Sequence, residues 1–309
     1  MNTKNKTIIA IDIGKQSLQI QSKYQSFAVN NDSKGYAQLL KTITTADQAH
    51  IVCEASGGYE RPLVRMLHKQ QIDVSVVNPA KVRAFAKSEG VQAKTDPIDA
   101  KLLLKFAEGK SLRLSSCPGP VREEISELMD RRSQLSEALT KEKNRLEKQP
   151  VYLTKWIQKS ISFLKKQIDL MDDRIKELIE SDAELTKRVK AMTSIKGVGT
   201  TTAYTILAYL SELENLSRGQ LISLAGLAPF DRESGKTKKK AFIHGGRAKV
   251  RKCLYMAAQS AATHNPVIKA YVSNLINRGK PYKSALVAAM RKLLICMQSL
   301  SKNPNFVLE

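Results

Sequence analysis

Thr7-Ile-Ile-Ala-Ile-Asp-Ile-Gly14 decides how the first third of the chain reads. The β-branched run predicts a buried strand that stops at the Gly14 turn, and the β-prone stretches Ser17 to Tyr24 and Ser26 to Asn30 predict two more strands meandering from it. Further on come a helical pattern from Tyr36 to Thr42, a buried-strand run from His50 to Ala55 and a helix from Tyr59 to Gln71. A strand from Asp73 to Asn78 follows. Pro79 then opens a helix to about Ser88, and a last helix spans Pro97 to Glu108.

Three strands followed by alternating helix and strand is the element order of an α/β ribonuclease-H-like domain, although the order of strands within the sheet is not legible. From Val121 to about Leu185 the pattern changes to long, charged, helix-favouring segments broken at Pro150. These predict an antiparallel coiled-coil arm, or else two amphipathic helices packed on a core. A mainly α-helical region with glycine turns completes the chain, ending in helices around Val267 to Asn277 and Tyr282 to Leu300. Arg291 and Lys292 interrupt the last of these, which argues against a membrane role. The expected division is therefore 1–115, 116–185 and 186–309.

The formal net charge of +22 calls for a polyanionic partner, and nucleic acid is the default. The charge is concentrated: Asp231 to Lys292 holds fifteen Lys and Arg against two acids, a net of +13. The four cysteines and four histidines show no metal-ligand spacing, so neither a zinc site nor a disulfide framework is expected. The start of the chain has no apolar signal core and no apolar stretch is long enough to span a bilayer, so the reading is cytoplasmic.

A carboxylate such as Asp12 on a buried strand is costly unless it binds something. Glu54 ends the strand His50 to Ala55 and enters the polar turn Glu-Ala-Ser-Gly-Gly-Tyr-Glu, while Asp96 and Asp99 lie three residues apart at a helix start. Four such acids could hold a pair of divalent ions about 3.5 to 4 Å apart for phosphoryl transfer. Oxygen-only ligands favour Mg2+ or Mn2+. Each acid also has an innocent reading, as a strand end, a solvent-facing side chain or a helix cap.

Two further stretches are candidates for nucleic-acid contact. In Met192 to Leu210 the turn Ile-Lys196-Gly197-Val-Gly199 resembles a helix-hairpin-helix, whose glycine amides receive a phosphate without reading sequence; a purely structural helix turn is the alternative. Between Gly226 and Ala258, Ser234 precedes Gly235 in a basic loop with Lys236, Lys238, Lys239 and Lys240. A helix with Arg247, Lys249, Arg251 and Lys252 follows. Alone, that loop reads as flexible or as phosphate-binding without chemistry.

Together and in this order, Glu54-Ala-Ser-Gly-Gly-Tyr, Lys94-Thr-Asp-Pro-Ile-Asp-Ala, and Gly226-Leu-Ala-Pro followed by Ser234-Gly and Gly245-Gly-Arg resemble the IS-one-ten insertion-sequence transposases and the related Piv-type DNA invertases. The resemblance covers nearly the whole chain. It implies a RuvC-like first domain with a metal site at Asp12, Glu54, Asp96 and Asp99, and a serine nucleophile at Ser234. It also implies a composite site across subunits, a homodimer assembling to a tetramer, and a structured guide (bridge) RNA that pairs with donor and target DNA. The chain departs from the family pattern at Lys238, Lys239 and Lys240, where a further glycine is common. A metal-dependent junction nuclease using water, and a non-catalytic basic RNA- or DNA-binding protein, remain as alternatives.

Overall fold

A computed structural model describes residues 6–43, 49–91, 95–115, 119–234, 237–303 and 306, with the backbone alone described for 231–234 and 237–241. The chain forms two compact units, Met1–Cys117 and Pro118–Glu309.

The first unit is built on a five-stranded sheet. Strands β1 (Thr7–Ile13), β2 (Ser17–Gln21) and β3 (Ser26–Asn30) form an antiparallel meander, and α1 (Ser33–Ile43) leads to β4 (Ala49–Glu54). Helix α2 (Arg61–Lys69), strand β5 (Asp73–Val77), α3 (Pro79–Ser88) and α4 (Asp96–Glu108) follow. The strand order is β3-β2-β1-β4-β5, with β1, β4 and β5 parallel. Strand β2 is shorter than the pattern predicts, because Ser22 turns the chain: its amide donates to the Gln25 carbonyl and its hydroxyl accepts from the Tyr24 and Gln25 amides.

Alternation along β1 explains the layering. Ile9, Ile11 and Ile13 are buried with Ile51 and Cys53 beneath Leu39 of α1 and Leu63 and Leu67 of α2. Ala10 and Val52 face the other way, into a cluster with Val82 of α3 and Leu103 and Phe106 of α4. A fully covered strand reads as a continuous apolar run, and this is why TIIAIDI carries one charged residue, Asp12, near its end.

The second unit opens with α5 (Pro120–Leu146) and α6 (Val151–Glu180), of 27 and 30 residues, which at 1.5 Å per residue are roughly 40 and 45 Å long. They pack on each other and are tied by Arg132 to Asp172 at 2.9 Å and by Arg174 to Glu124 at 2.8 Å. Only the ends nearest the later helices of the same unit, with Ile125, Met129, Ile175, Leu178 and Ile179, join the large core; Leu135, Ile157, Ile161 and Ile168 are buried beyond it. The pair is thus an arm with its base set in a core.

That core is completed by α7 (Ala183–Thr193), α8 (Thr200–Tyr209), α9 (Arg218–Leu224), α10 (Ala248–His264), α11 (Pro266–Asn277) and α12 (Tyr282–Lys302). Arg291, half-buried on α12, donates to the Leu227 carbonyl at 2.8 Å, and buried Gln298 donates to the Leu213 and Leu216 carbonyls at 2.7 Å. Among the described residues no helix is long and apolar enough to cross a membrane. The basic segment expected as a loop is instead a two-stranded antiparallel hairpin, β6 (Pro229–Ser234) and β7 (Thr237–Ile243).

Candidate functional site

The first site is set by strand register. Strands β1 and β4 pair with Ala10 beside Val52 and Ile11 beside Cys53, so one step further Asp12 lies beside Glu54 on backbones about 4.8 Å apart. Side chains alternate across a strand, and Ala10 and Val52 face α3 and α4. Both half-buried carboxylates therefore lie on the α4 side, at the ends of adjacent parallel strands.

Helix α4 begins with Asp96, exposed, and Asp99, half-buried, whose amide donates to the Thr95 carbonyl at 2.8 Å. Asp99 shares a stripe with Leu103 and Phe106, which are buried against the sheet, so it continues the sheet-facing row at the start of the helix. Among the described residues, no group of three or more His, Cys, Asp and Glu side chains is spaced to hold a metal ion. Strand register thus brings Asp12 and Glu54 together, while Asp96 and Asp99 do not close a ligand set with them. The donor chemistry of the pair, oxygen only, fits Mg2+ or Mn2+.

The loop after Glu54 is organised by Glu60, a residue that sequence reading passes over as part of a polar turn. Its carboxylate accepts from the Ser56 amide at 3.0 Å, the Ser56 hydroxyl at 3.1 Å and the Gly58 amide at 2.8 Å. Burial works to raise the Glu60 carboxyl, but the backbone amides of Glu60, Gly58 and Ser56 and the Ser56 hydroxyl prevail and hold it below the usual carboxylate range. Gly58, at φ 113°, occupies a backbone region closed to other residues, and this brings its amide to the carboxylate.

Neighbouring groups are structural. Burial, with help from the charges of Glu60 and Glu54, pushes the Cys53 thiol up to about 12, so it is inert as a nucleophile. Buried His50 bonds the Ser75 hydroxyl at 2.8 Å, and burial pushes its pKa down.

In the second unit, the turn Lys196-Gly197-Val198-Gly199 joins α7 to α8. Gly197, at φ 96°, lies against α10 so closely that an added Cβ would stand 2.5 Å from the Ala261 Cα, so this glycine sets the packing of the turn. Gly199 caps α8 with open space around it, and Lys196 is exposed. The turn therefore presents a bare helix start and a cation outward.

The two glycine motifs flanking the hairpin interlock. Gly226 and Gly246 both have positive φ, at 69° and 60°, and a Cβ on Gly246 would meet the Gly226 amide at 2.2 Å. The Arg247 amide donates to the Leu224 carbonyl at 2.8 Å. This contact anchors the base of the hairpin, and the register carries the backbone of Ser234 to the far end, paired with Thr237. Gly235 and Lys236 lie outside the described residues, as does Lys94, and no side chain is described at Ser234, Lys238, Lys239 or Lys240. Beside the base, His244 stacks on Phe230 at 4.1 Å and on Phe242 at 5.1 Å, an exposed aromatic group that sequence reading did not single out.

The basic residues of α10 are partly engaged inside the protein. Arg247 donates to both Glu212 oxygens at 2.8 and 2.9 Å, Lys249 bonds Asp130 and covers the Tyr209 ring, and Arg251 donates to the Gly245 carbonyl. Lys252 is exposed, 3.5 Å from Glu137. Arg247→Ala should therefore destabilise the unit by roughly 2–3 kcal/mol, since it takes two charge-assisted hydrogen bonds from the mostly buried Glu212, and leave the salt dependence of DNA binding unchanged. Neutralising Lys238, Lys239 and Lys240 together should do the reverse, flattening the log-log salt slope on duplex DNA by about 2.7 at near-constant thermal midpoint. Thermal melts and salt titrations of both variants check the pair; a flattened slope in Arg247→Ala would return Arg247 to the interface.

Comparison with known proteins covers both units. The DEDD transposase domain model of IS110 elements matches residues 9–150, and the model described as Transposase IS116/IS110/IS902 family matches residues 189–273. The pilin gene-inverting proteins of Moraxella lacunata and Moraxella bovis are each 28% identical over 302 residues, covering 94% of this chain and 94% of each relative. The first match contains Asp12, Glu54, Asp96 and Asp99, and the second contains the α7–α8 turn and Ser234.

Proposed function

Because the chain belongs to the IS116/IS110/IS902 transposase family and is an enzyme of DNA recombination, we propose that it cuts and rejoins DNA with a carboxylate centre on a RuvC-like first unit and Ser234 as nucleophile. The observation that carries this reading is the β1–β4 register, which sets Asp12 beside Glu54 at the strand ends under the helix that begins with Asp96 and Asp99. Asp12 and Glu54, with Asp96 and Asp99 drawn in to complete the set on binding, would hold divalent ions, Mg2+ or Mn2+, which would withdraw charge from a scissile phosphate.

Ser234 then attacks the phosphorus. Its Oγ–P bond forms as the P–O bond to the leaving deoxyribose oxygen breaks; the serine proton leaves and that oxygen ends as a hydroxyl. A hydroxyl of the other strand reverses the step on the phosphoserine, frees Ser234 and reseals the backbone. The phosphodiester energy is conserved throughout, so no cofactor is consumed. Gly226 and Gly246 fix the base of the hairpin that carries Ser234, while Lys196, Gly197, Gly199, Lys236, Lys238, Lys239 and Lys240 hold phosphates and Lys252 adds charge. A structured guide RNA selects donor and target DNA, and subunits pair into a dimer that assembles to a tetramer.

The test is to incubate purified protein, Mg2+, labelled donor and target duplexes and the transcript of the flanking noncoding DNA, then resolve the products on a denaturing gel. A covalent protein–DNA adduct that requires the transcript is expected. An adduct formed equally without RNA removes the guide; cleavage with no adduct leaves a nuclease that uses water.

A further inference from the structure

Helix α6 has two apolar stripes, and only one of them is buried. Ile157, Ile161, Ile168 and Ile175 face the protein. About a third of a turn or more away, Tyr152, Trp156, Phe163 and Leu170 recur at helical spacing and are 76%, 66%, 61% and 47% exposed. Lys155, Lys159 and Lys166, also exposed, fall on the same face between the aromatics. Lys159 holds its ammonium 5.3 Å from the centre of the Trp156 ring.

On α6 itself, the charge around the three rings has one sign. From Val151 to Ile168 there are four lysines and no acid. A groove of about 510 Å³ runs beside Phe163, between Lys141, Glu142 and Arg145 of α5 and Lys159 and Leu164 of α6; its one acid, Glu142, is paired with Arg145 at 2.6 Å, so the groove keeps a net positive charge. A solvent-facing helix surface ordinarily carries mixed charge, and three bare aromatic rings there cost solubility without adding to the core.

A second copy of this face would set lysine against lysine. A polyanion is the complementary partner, and the rings select one whose bases are unpaired and can stack, since duplex bases are already stacked on each other. Strand exchange by a DNA recombinase produces such a partner. We propose that the outer face of α6, with Tyr152, Trp156 and Phe163 as stacking platforms and Lys155, Lys159 and Lys166 as phosphate contacts, binds unpaired DNA. From Tyr152 to Phe163 the rings span roughly 16 Å of helix, room for a few nucleotides. The site is independent of the carboxylates and of Ser234.

Trp156 is the chain's single tryptophan, so its emission reports on this face alone. The full-length protein is titrated with a twelve-nucleotide oligo-dT, the matching blunt duplex and oligo-U, following Trp156 emission and, with labelled strands, anisotropy. Oligo-dT should quench Trp156, and the duplex should not. Tyr152→Ala with Phe163→Ala should weaken oligo-dT binding about 10-fold or more with unchanged circular dichroism, whereas Phe163→Tyr should bind like the parent. Removing Lys155 and Lys159 should flatten the salt slope by about 1.4. Quenching by duplex as strong as by oligo-dT, or no quenching at all, overturns the proposal. Tighter binding of oligo-U reassigns the face to RNA and overturns it for DNA. A Trp156 spectrum that shifts with protein concentration in the absence of nucleic acid means a second copy covers the face, which also overturns it.

Discussion

Asp12→Ala and Glu54→Ala should each lower Mg2+-dependent strand cleavage by roughly a thousandfold or more while leaving the protein folded. The expected size follows from rank: removing a residue that merely orients a metal ligand costs about 10- to 100-fold, so removing a ligand costs more. Retention of fold follows from position. The two acids lie half-buried at strand ends, whereas the packing of β1 and β4 is carried by Ile11, Ile51 and Cys53, which are fully buried on the opposite face, and by Ala10 and Val52 on the near one. Loss of a half-exposed side chain outside a core typically changes stability by no more than about 0.5 kcal/mol, so the thermal midpoint should move by roughly 2 °C or less. Asp12→Asn separates charge from shape, since it keeps the side-chain volume and should be nearly as inactive. Cleavage of labelled DNA, with thermal melts run in parallel, checks all three variants. Parental cleavage by either alanine variant at saturating Mg2+ would remove Asp12 and Glu54 from the chemistry.

The candidate site was legible where local pattern encodes it. TIIAIDIG announces a strand with one misplaced acid, and Pro97 announces a helix start with Asp96 and Asp99 in its first turn. That Asp12 and Glu54 belong to one site was expected from the resemblance, but their place on adjacent strands was not legible in local pattern, because 42 residues separate them and strand order is decided by how α1 and α2 cover one face and α3 and α4 the other. The β6–β7 hairpin was hidden for a different reason: Lys238, Lys239 and Lys240 break the apolar alternation by which a strand is recognised, while the backbone pairing of Phe230 with Phe242 needs no such pattern. The pairing of Arg247 with Glu212 is tertiary, so the basic run containing Arg247 read as a uniform phosphate-binding surface when part of it braces the fold. Glu60 escaped notice because its role depends on the backbone of Gly58, which places amides where no side-chain pattern could show them.

Ser234→Ala should bind DNA as the parent does, within about twofold, and yield no covalent adduct. Affinity here comes mainly from phosphate neutralisation by lysines and arginines, to which one hydroxyl adds little. Adduct formation, by contrast, has no substitute for the attacking oxygen. A serine hydroxyl is a weak nucleophile on its own, and the residues around it in sequence, Arg232, Lys236, Lys238, Lys239 and Lys240, offer cations but hardly a base, with Glu233 the one adjacent carboxylate. Position favours the role nonetheless. The interlocked Gly226 and Gly246 anchor the base of the hairpin, and the register sets Ser234 at its opposite end, where a backbone held at one end presents a residue to a bound strand. Glu233→Gln, tested beside Ser234→Ala, separates two routes to activation: if Glu233 takes the proton, its loss should cost about 10²- to 10⁴-fold in the adduct rate, and if the first unit's carboxylates supply activation it should cost little. Ser234→Cys keeps a nucleophile of altered size and should retain a trace of adduct. If Ser234→Ala still recombines DNA at the parental rate, the hydroxyl is a bystander, the Asp12–Glu54 centre must direct water to cut instead, and joining must proceed by direct attack of a freed strand hydroxyl on an intact phosphodiester.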